Sequence, residues 1–112
     1  MKAAIFVKPG KMEIKEMSKP KIQKSTDAII RILRACVCGS DLWWYRGISK
    51  RESGSTVDHE AIGIVEEVGK DVVAIHPGDF VIAPFTHGCG QCAACRAGFD
   101  GSCLNPTESA NG

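Results

Sequence analysis

Four closely spaced cysteines constrain the fold of this chain more than any other sequence feature. They are separated by two, two and seven residues, and they are Cys89, Cys92, Cys95 and Cys103. Four thiolates within so short a segment supply the charge and the tetrahedral geometry of a closed structural zinc site. Residues 86–105, which we call the cysteine lobe, show no helical or strand period. We therefore predict that one structural zinc ion orders the cysteine lobe in place of an apolar core.

Two glycines flank the first of these cysteines and agree with a metal site. A chain that wraps a metal needs either a positive φ or an open approach for its amides, and Gly88 and Gly90 provide for both. Two disulfides, or four free cysteines, remain alternatives. The repeated two-residue spacer favours joint coordination of one metal over either of them.

Charge argues against a zinc module that binds nucleic acid. Such modules usually set two ligand pairs about 12–20 residues apart and carry basic surfaces. This chain has 14 Lys+Arg against 13 Asp+Glu, a formal net charge of +1, and no basic stripe. No apolar run approaches the ~20 residues that cross a bilayer, and the N-terminus lacks a cleavage-site pattern. We expect a cytoplasmic protein that contacts neither nucleic acid nor membrane.

Length and turn spacing predict a single, mainly β domain over residues 1–112. The chain has 112 residues, of which 44% are hydrophobic, enough for one modest core. Apolar or alternating runs bounded by turn residues predict strands, and these runs are Ala3–Val7, Met12–Lys15, Ala28–Leu33, Ala61–Gly69 and Phe80–Ala83. Leu42–Tyr45 predicts a short helix, capped by the side chain of Ser40 or Asp41. Turns recur at the spacing typical of a β-barrel or sandwich.

A second group of metal-binding residue types lies outside the cysteine lobe. Cys38 precedes Gly39-Ser40-Asp41, and His59-Glu60 follow about twenty residues later, at the start of a predicted strand. A thiolate and an imidazole are two of the ligands of a catalytic zinc, which keeps three protein ligands and one open position. Taken alone, the pair is more often a small buried cysteine and a surface or hydrogen-bonded histidine than a metal site.

These motifs occur together in a known order. The chain from Met1 to about Cys103 resembles the N-terminal catalytic domain of medium-chain zinc-dependent alcohol dehydrogenases. The resemblance rests on Cys38-Gly39-Ser40-Asp41, on His59-Glu60 before a glycine-containing strand, on Pro77-Gly78-Asp79-Phe80-Val81, and on the four spaced cysteines. It implies a GroES-like, partly open β-barrel with few helices, which agrees with the strand-rich pattern.

The resemblance also implies a role for each matching residue. Cys38 and His59 would ligate a catalytic zinc, and Glu60 would be a carboxylate close to that ion. Asp41 would orient His59 by accepting from its second ring nitrogen, and Ser40 would receive the substrate's hydroxyl proton. The cysteines of the lobe would hold the structural zinc.

The implied reaction is hydride transfer from a small alcohol or polyol to NAD or NADP, with the hydroxyl activated by zinc. No G-x-G-x-x-G turn occurs here, so we expect the Rossmann domain to be absent or separately encoded. The resemblance also implies that the third protein ligand of the catalytic zinc, a cysteine or an acidic residue in most relatives, lies beyond residue 112. The chain is then the incomplete N-terminal part of such an enzyme and inactive alone. The alternative is a stand-alone structural zinc module with a scaffold or partner-binding role.

Two positions depart from the family pattern. Trp43 stands where many relatives have the histidine of a proton relay, and Asp58 stands where relatives usually have glycine. Trp43 and Trp44 together could wall a substrate cleft or could pack in the core. The sequence does not decide the oligomeric state.

Overall fold

Five strands and a few short helices make up the fold in this computed structural model, which describes residues 1–57, 59–86 and 88–105. The elements are β1 Lys2–Lys8, β2 Lys11–Glu16, β3 Ala28–Ala35, α1 Asp41–Tyr45, β4 Ala61–Val68, β5 Phe80–Ala83, α2 Ala93–Arg96 and a 3₁₀ turn at Asp100–Ser102. The expectation of a mainly β fold with short helices is confirmed. Among these described residues, no helix has the length and apolar character needed to cross a membrane.

The chain opens with an antiparallel hairpin of β1 and β2. Lys2 pairs with Glu16 at its open end, and Lys8 pairs with Lys11 beside the turn. An isolated bridge between Ile5 and Thr56 joins the hairpin to the loop between α1 and β4. Among the described residues, the hairpin forms its own two-stranded sheet, so the two sheets do not close into a complete barrel.

The second sheet is antiparallel, in the order β3-β4-β5, with β4 in the centre. Gly63 lies in the middle of β4, where a side chain has no room. A Cβ there would stand 2.5 Å from the carbonyl oxygen of Arg31 and 2.6 Å from Cγ2 of Ile30. The glycine inside this predicted strand therefore allows β3 and β4 to approach closely.

A small core joins the hairpin to α1. Of the described hydrophobic residues, those that are buried are Ile5, Phe6, Trp44 and Val65. The Phe6 and Trp44 rings meet edge to face with centroids 5.1 Å apart, and the Arg51 guanidinium lies 4.9 Å above the Trp44 ring. Trp44 is thus a core residue, whereas Trp43 is 58% exposed.

An open apolar groove of about 650 Å³ runs between the hairpin, β3 and α1. Its apolar lining includes Ala4, Met12, Ile32, Val37, Leu42 and Val57. Asp41 reaches its edge, but Cys38 and His59 are not among its lining residues. The groove therefore lies beside the candidate site rather than at it.

Candidate metal centres

Three strand ends meet at one end of the β3-β4-β5 sheet and assemble the first centre. Ala61, the first residue of β4, pairs with Ala35 at the end of β3 and with Ala83 at the end of β5. The Cys36 amide donates to the Glu60 carbonyl over 3.1 Å, one step beyond β3. The segment containing Cys38 is thereby brought beside the residues that precede β4.

Cys38, His59 and Glu60 converge at this end of the sheet. Their ligand atoms, a sulfur, an imidazole nitrogen and a carboxylate oxygen, all lie within 4.8 Å of one another, and each residue is half-buried. This donor set suits zinc, because thiolate, imidazole and carboxylate are its usual protein ligands. The carboxylate of Glu60 therefore lies within 4.8 Å of the donor atoms of Cys38 and His59, the two ligands that the sequence suggested.

The carboxylate of Asp41 contacts both Cys38 and His59. Oδ2 accepts from the Cys38 amide over 2.9 Å, and Oδ1 stands 3.5 Å from Nδ1 of His59. A proton on Nδ1 would be shared with Asp41, which leaves the Nε2 lone pair for a metal. Asp41 is only 8% exposed, so water competes little for these contacts.

The prediction that the side chain of Ser40 or Asp41 caps α1 is wrong. Ser40 occupies the N-cap position in a helical conformation, and its side chain makes no capping hydrogen bond. Asp41 does not cap either, because its Oδ2 reaches back to the Cys38 amide. The reason is that both side chains face the cluster instead of the first turn of the helix.

Local hydrogen bonds favour charge separation between Cys38 and His59. Ser40 donates to the Cys38 sulfur from its side chain and its amide, and with His59 it lowers the pKa of that thiol. The hydrogen bond with Cys38, followed by the charge of Asp41, raises the pKa of His59 against desolvation. Ser40 Oγ also lies 3.4 Å from His59 Nε2. The thiolate is the form that binds metal, and a bound cation would reverse the preference for a charged imidazole.

The cysteine lobe brings its four thiols together as the spacing predicts. The sulfurs lie within 4.8 Å of one another, and those of Cys92 and Cys103 are 4.0 Å apart. Tetrahedral zinc with bonds of about 2.3 Å would set sulfurs about 3.8 Å apart. The cluster fits a four-thiolate zinc site.

Amide donors around the lobe stabilise thiolates. The Cys89 sulfur accepts from the amides of Gln91 and Cys92 and from the side chain of Asn105, at 3.5, 3.3 and 3.5 Å. These bonds lower the pKa of Cys89 to about 6. Desolvation instead raises the pKa of Cys95 to about 12. All four sulfurs can be thiolates together only when a cation balances their charge.

The two glycines of the lobe serve different purposes. Gly90 has a φ of +71°, in the left-handed region. A Cβ on Gly88 would stand 2.6 Å from the Cys95 sulfur and 2.9 Å from Cβ of Asp100. The positive φ that the sequence suggested is present at Gly90, and the missing side chain of Gly88 leaves room for the Cys95 sulfur and Asp100.

One neighbour of the first centre carries no motif and was missed by sequence reasoning. The ring of Phe85 lies edge to face with His59, with centroids 5.2 Å apart. No signal in a single sequence could have revealed it, because the contact depends on the β4-β5 register. Asp58, which departs from the family pattern, His87 of the lobe, and residues 106–112 lie outside the described residues.

A family model described as the alcohol dehydrogenase GroES-like domain matches residues 24–112. The zinc-type alcohol dehydrogenase B of Aspergillus flavus is 41% identical over 92% of this chain and 24% of its own length. Alcohol dehydrogenase TADH from Thermus sp. ATN1 superposes with a TM-score of 0.85 at 38% identity, over 93% of this chain and 30% of its own. The apo form of zinc-dependent alcohol dehydrogenase 2 from Streptococcus pneumonia gives 0.82 at 40% identity, over 95% and 31%. The chain thus spans less than a third of the length of these relatives.

Proposed function

Because this chain belongs to the alcohol dehydrogenase GroES-like domain family, we propose that it supplies the metal-binding and proton-handling residues of a zinc-dependent alcohol or polyol dehydrogenase. The reaction transfers a hydride from the carbon of a small alcohol to NAD or NADP. The hydroxyl proton leaves through the protein, and a carbonyl compound remains.

One observation carries this proposal. The donor atoms of Cys38, His59 and Glu60 converge within 4.8 Å, and a serine hydroxyl stands 3.4 Å from the imidazole. Three protein donors beside a serine hydroxyl suit a site that keeps a position open for substrate. The four thiols of the cysteine lobe suit a closed structural site. A stand-alone structural module, the alternative from the sequence, has no use for the first cluster.

Each residue of the first centre has a task that follows from its contacts. Cys38, His59 and Glu60 would hold the ion, with Glu60 as the third donor available within this chain. Zinc, when bound, supplies the Lewis acidity that makes a hydroxyl more acidic. Asp41 keeps the His59 proton on Nδ1, and its second oxygen fixes the Cys38 backbone.

Ser40 is the residue that moves the proton. Its hydroxyl lies beside the cluster and can accept a proton from a substrate hydroxyl while it gives up its own. Trp43 stands where many relatives carry the relay histidine and is 58% exposed. In this chain the proton therefore passes from Ser40 to water without a histidine at that position.

A chimera tests the proposal. Residues 1–105 would replace the matching segment of the Thermus enzyme, which is 38% identical. We expect NAD(P)-dependent oxidation of simple alcohols, a fall in kcat of about 10²–10⁴-fold for Ser40→Ala, and loss of activity for Cys38→Ser. Ser49→Ala and Cys36→Ser, at exposed positions outside the cluster, are the matched controls.

Two results of the chimera experiment count against the proposal. A chimera that folds and carries two zinc ions but oxidises no alcohol would refute the assigned reaction. Full activity in Ser40→Ala would remove Ser40 from proton transfer while leaving the metal assignment intact.

A further inference from the structure

We propose that Phe85 is a positioning residue that holds the imidazole of His59 in the orientation required for metal binding. This inference rests on the proposed function, since it assumes that His59 is a ligand. It deepens the proposal, because neither the sequence motifs nor the family match assigns any role to Phe85.

The register of the sheet determines which residue faces His59. Ile62 pairs with Ile82, and Ala61 pairs with Ala83, in the antiparallel ladder of β4 and β5. If this register is continued by two residues beyond the pair Ala61–Ala83, His59 stands opposite Phe85, and the two rings are in contact. Residues directly opposite one another in an antiparallel pair project from the same face of the sheet. The strand register therefore places the Phe85 ring beside the His59 imidazole.

Backbone pairing is weak where His59 and Phe85 meet. Pro84 lacks an amide hydrogen and cannot extend the ladder beyond Ala83. His59 itself lies two residues before the start of β4. Side-chain contact must therefore hold the two segments together beyond the end of the ladder.

The imidazole has polar contacts with Cys38, Asp41 and Ser40, and an aromatic contact adds a restraint of a different kind. Asp41 lies near Nδ1 and Ser40 near Nε2, at the rather long distances of 3.5 and 3.4 Å. The His59 side chain is 25% exposed, so rotation towards solvent is open to it. The Phe85 ring meets it with an interplanar angle of 69°, the edge-to-face geometry that aromatic pairs prefer. This contact resists outward rotation of the imidazole.

Phe85 is 67% exposed, so it contributes little to the core, yet its ring contacts a candidate ligand. Phe99, in the cysteine lobe, is exposed to the same extent, 67%. Phe99→Leu is therefore a control matched in residue type and exposure.

The first readout needs no metal. In the metal-free chain, we expect the His59 ring protons to carry a ring-current shift that Phe85→Leu removes, and to broaden as the imidazole samples a second rotamer. Phe85→Tyr, which keeps an aromatic ring, should retain the wild-type resonances. Phe99→Leu should leave them unchanged. Unaltered His59 resonances in Phe85→Leu would overturn the inference, whatever the chain catalyses.

The second readout is Co²⁺ binding to the 112-residue chain, followed by its visible absorption. We expect two sites, and Phe85→Leu should weaken the one that Cys38→Ser abolishes by about three- to tenfold. The four-cysteine site should keep its spectrum and serves as the internal check of folding. Equal affinity in Phe85→Leu and wild type overturns the inference alone. Absence of the Cys38-dependent site from the wild type overturns the proposed function as well.

Discussion

Single carboxylates organise the backbone at several places in the described part of this chain, and two of them bear on the first centre. Asp41 accepts from the amide of Cys38, and Asp27 accepts from the amides of Gln23 and Lys24 at 3.0 and 2.8 Å. In both cases the acidic side chain satisfies amides that precede it by three or four residues. Asp27 fixes the turn that leads into β3, and β3 in turn leads to Cys38. The position of the first centre thus depends on short-range polar contacts as well as on strand pairing.

The turn held by Asp27 should loosen in acid. Hydrogen bonds from the Lys24 and Gln23 amides lower the pKa of Asp27 below its usual value of 3.8. Because the pKa is lowered on folding, the stabilisation is present above the unfolded-state value and is lost as pH falls through the folded-state value. We expect the protection factors of the amides of residues 23 and 24, measured by NMR relative to the intrinsic exchange rate at each pH, to fall over that interval. Asp27→Asn should show low protection factors without the pH dependence, and an identical profile in the variant would contradict this account.

Residue-level prediction succeeded where a motif fixes geometry and was wrong where side chains had a choice. The short spacers between the lobe cysteines allow few conformations that keep the four thiols apart, so it was predictable that they would come together. Ser40 and Asp41 could cap a helix or face the cluster, and only the folded environment decides between these options. Phe85 carries no motif, and its place beside His59 depends on the pairing register, which a single sequence does not reveal.

At the scale of elements, the β sheet and the cysteine lobe are held by different forces. Strand positions were predicted to within a few residues because apolar runs and turn residues mark them clearly. The four-residue α2 and the 3₁₀ turn of the lobe have no periodicity to detect, since thiol positions rather than an apolar face set their course. The two parts should therefore respond differently to metal removal.

Chelation should unfold the lobe and spare the sheet. We expect about one tightly held zinc per chain, whose removal abolishes amide protection across residues 88–105, because the lobe's thiolates require a cation. The strands β3, β4 and β5 should keep their slow exchange. Metal analysis and hydrogen exchange of the reduced protein provide the measurement, with Cys36→Ser as the cysteine control. Zinc-free protein with a protected lobe would refute the assignment.

Close packing at the centre of the sheet makes β4 sensitive to one methyl group. Gly63→Ala would press a Cβ against the Arg31 carbonyl, which stands 2.5 Å away. We expect the free energy of unfolding to fall by about 1–3 kcal/mol, measured by urea denaturation. Gly39→Ala, where no atom lies within 4 Å of the added carbon, should change it little. A smaller loss at Gly63 than at Gly39 would show that the strands separate easily.

For the molecule as a whole, the small core and the exposed apolar surface are the dominant features. Of the described residues, sixteen large hydrophobic side chains are exposed, among them Ile32, Ile82 and Val37. Sequence composition predicted a foldable domain but gave no indication of how few side chains would be buried. Composition cannot show this, because burial depends on which strand faces find partners in three dimensions.

We expect no dehydrogenase activity from the 112-residue chain with simple alcohols and NAD(P). It lacks a Gly-rich turn that would bind the pyrophosphate of the coenzyme. A spectrophotometric assay of NAD(P)H formation on zinc-loaded protein tests this, with the chimera as the positive control. Turnover that Cys38→Ser abolishes would show that coenzyme binds here without such a turn.

The two metal centres differ in how much chain separates their parts, and this difference governs the order in which they form. The amide of Cys89 and the sulfur of Cys103 are 14 residues apart, whereas the strand pairing that assembles the first centre joins Ala35 to Ala61. Short loops close within about 10–100 ns, and closure becomes less favourable as loops lengthen. During refolding with scarce metal, the cysteine lobe should therefore bind the first ion, before the slower pairing of β3 with β4 has assembled the first centre.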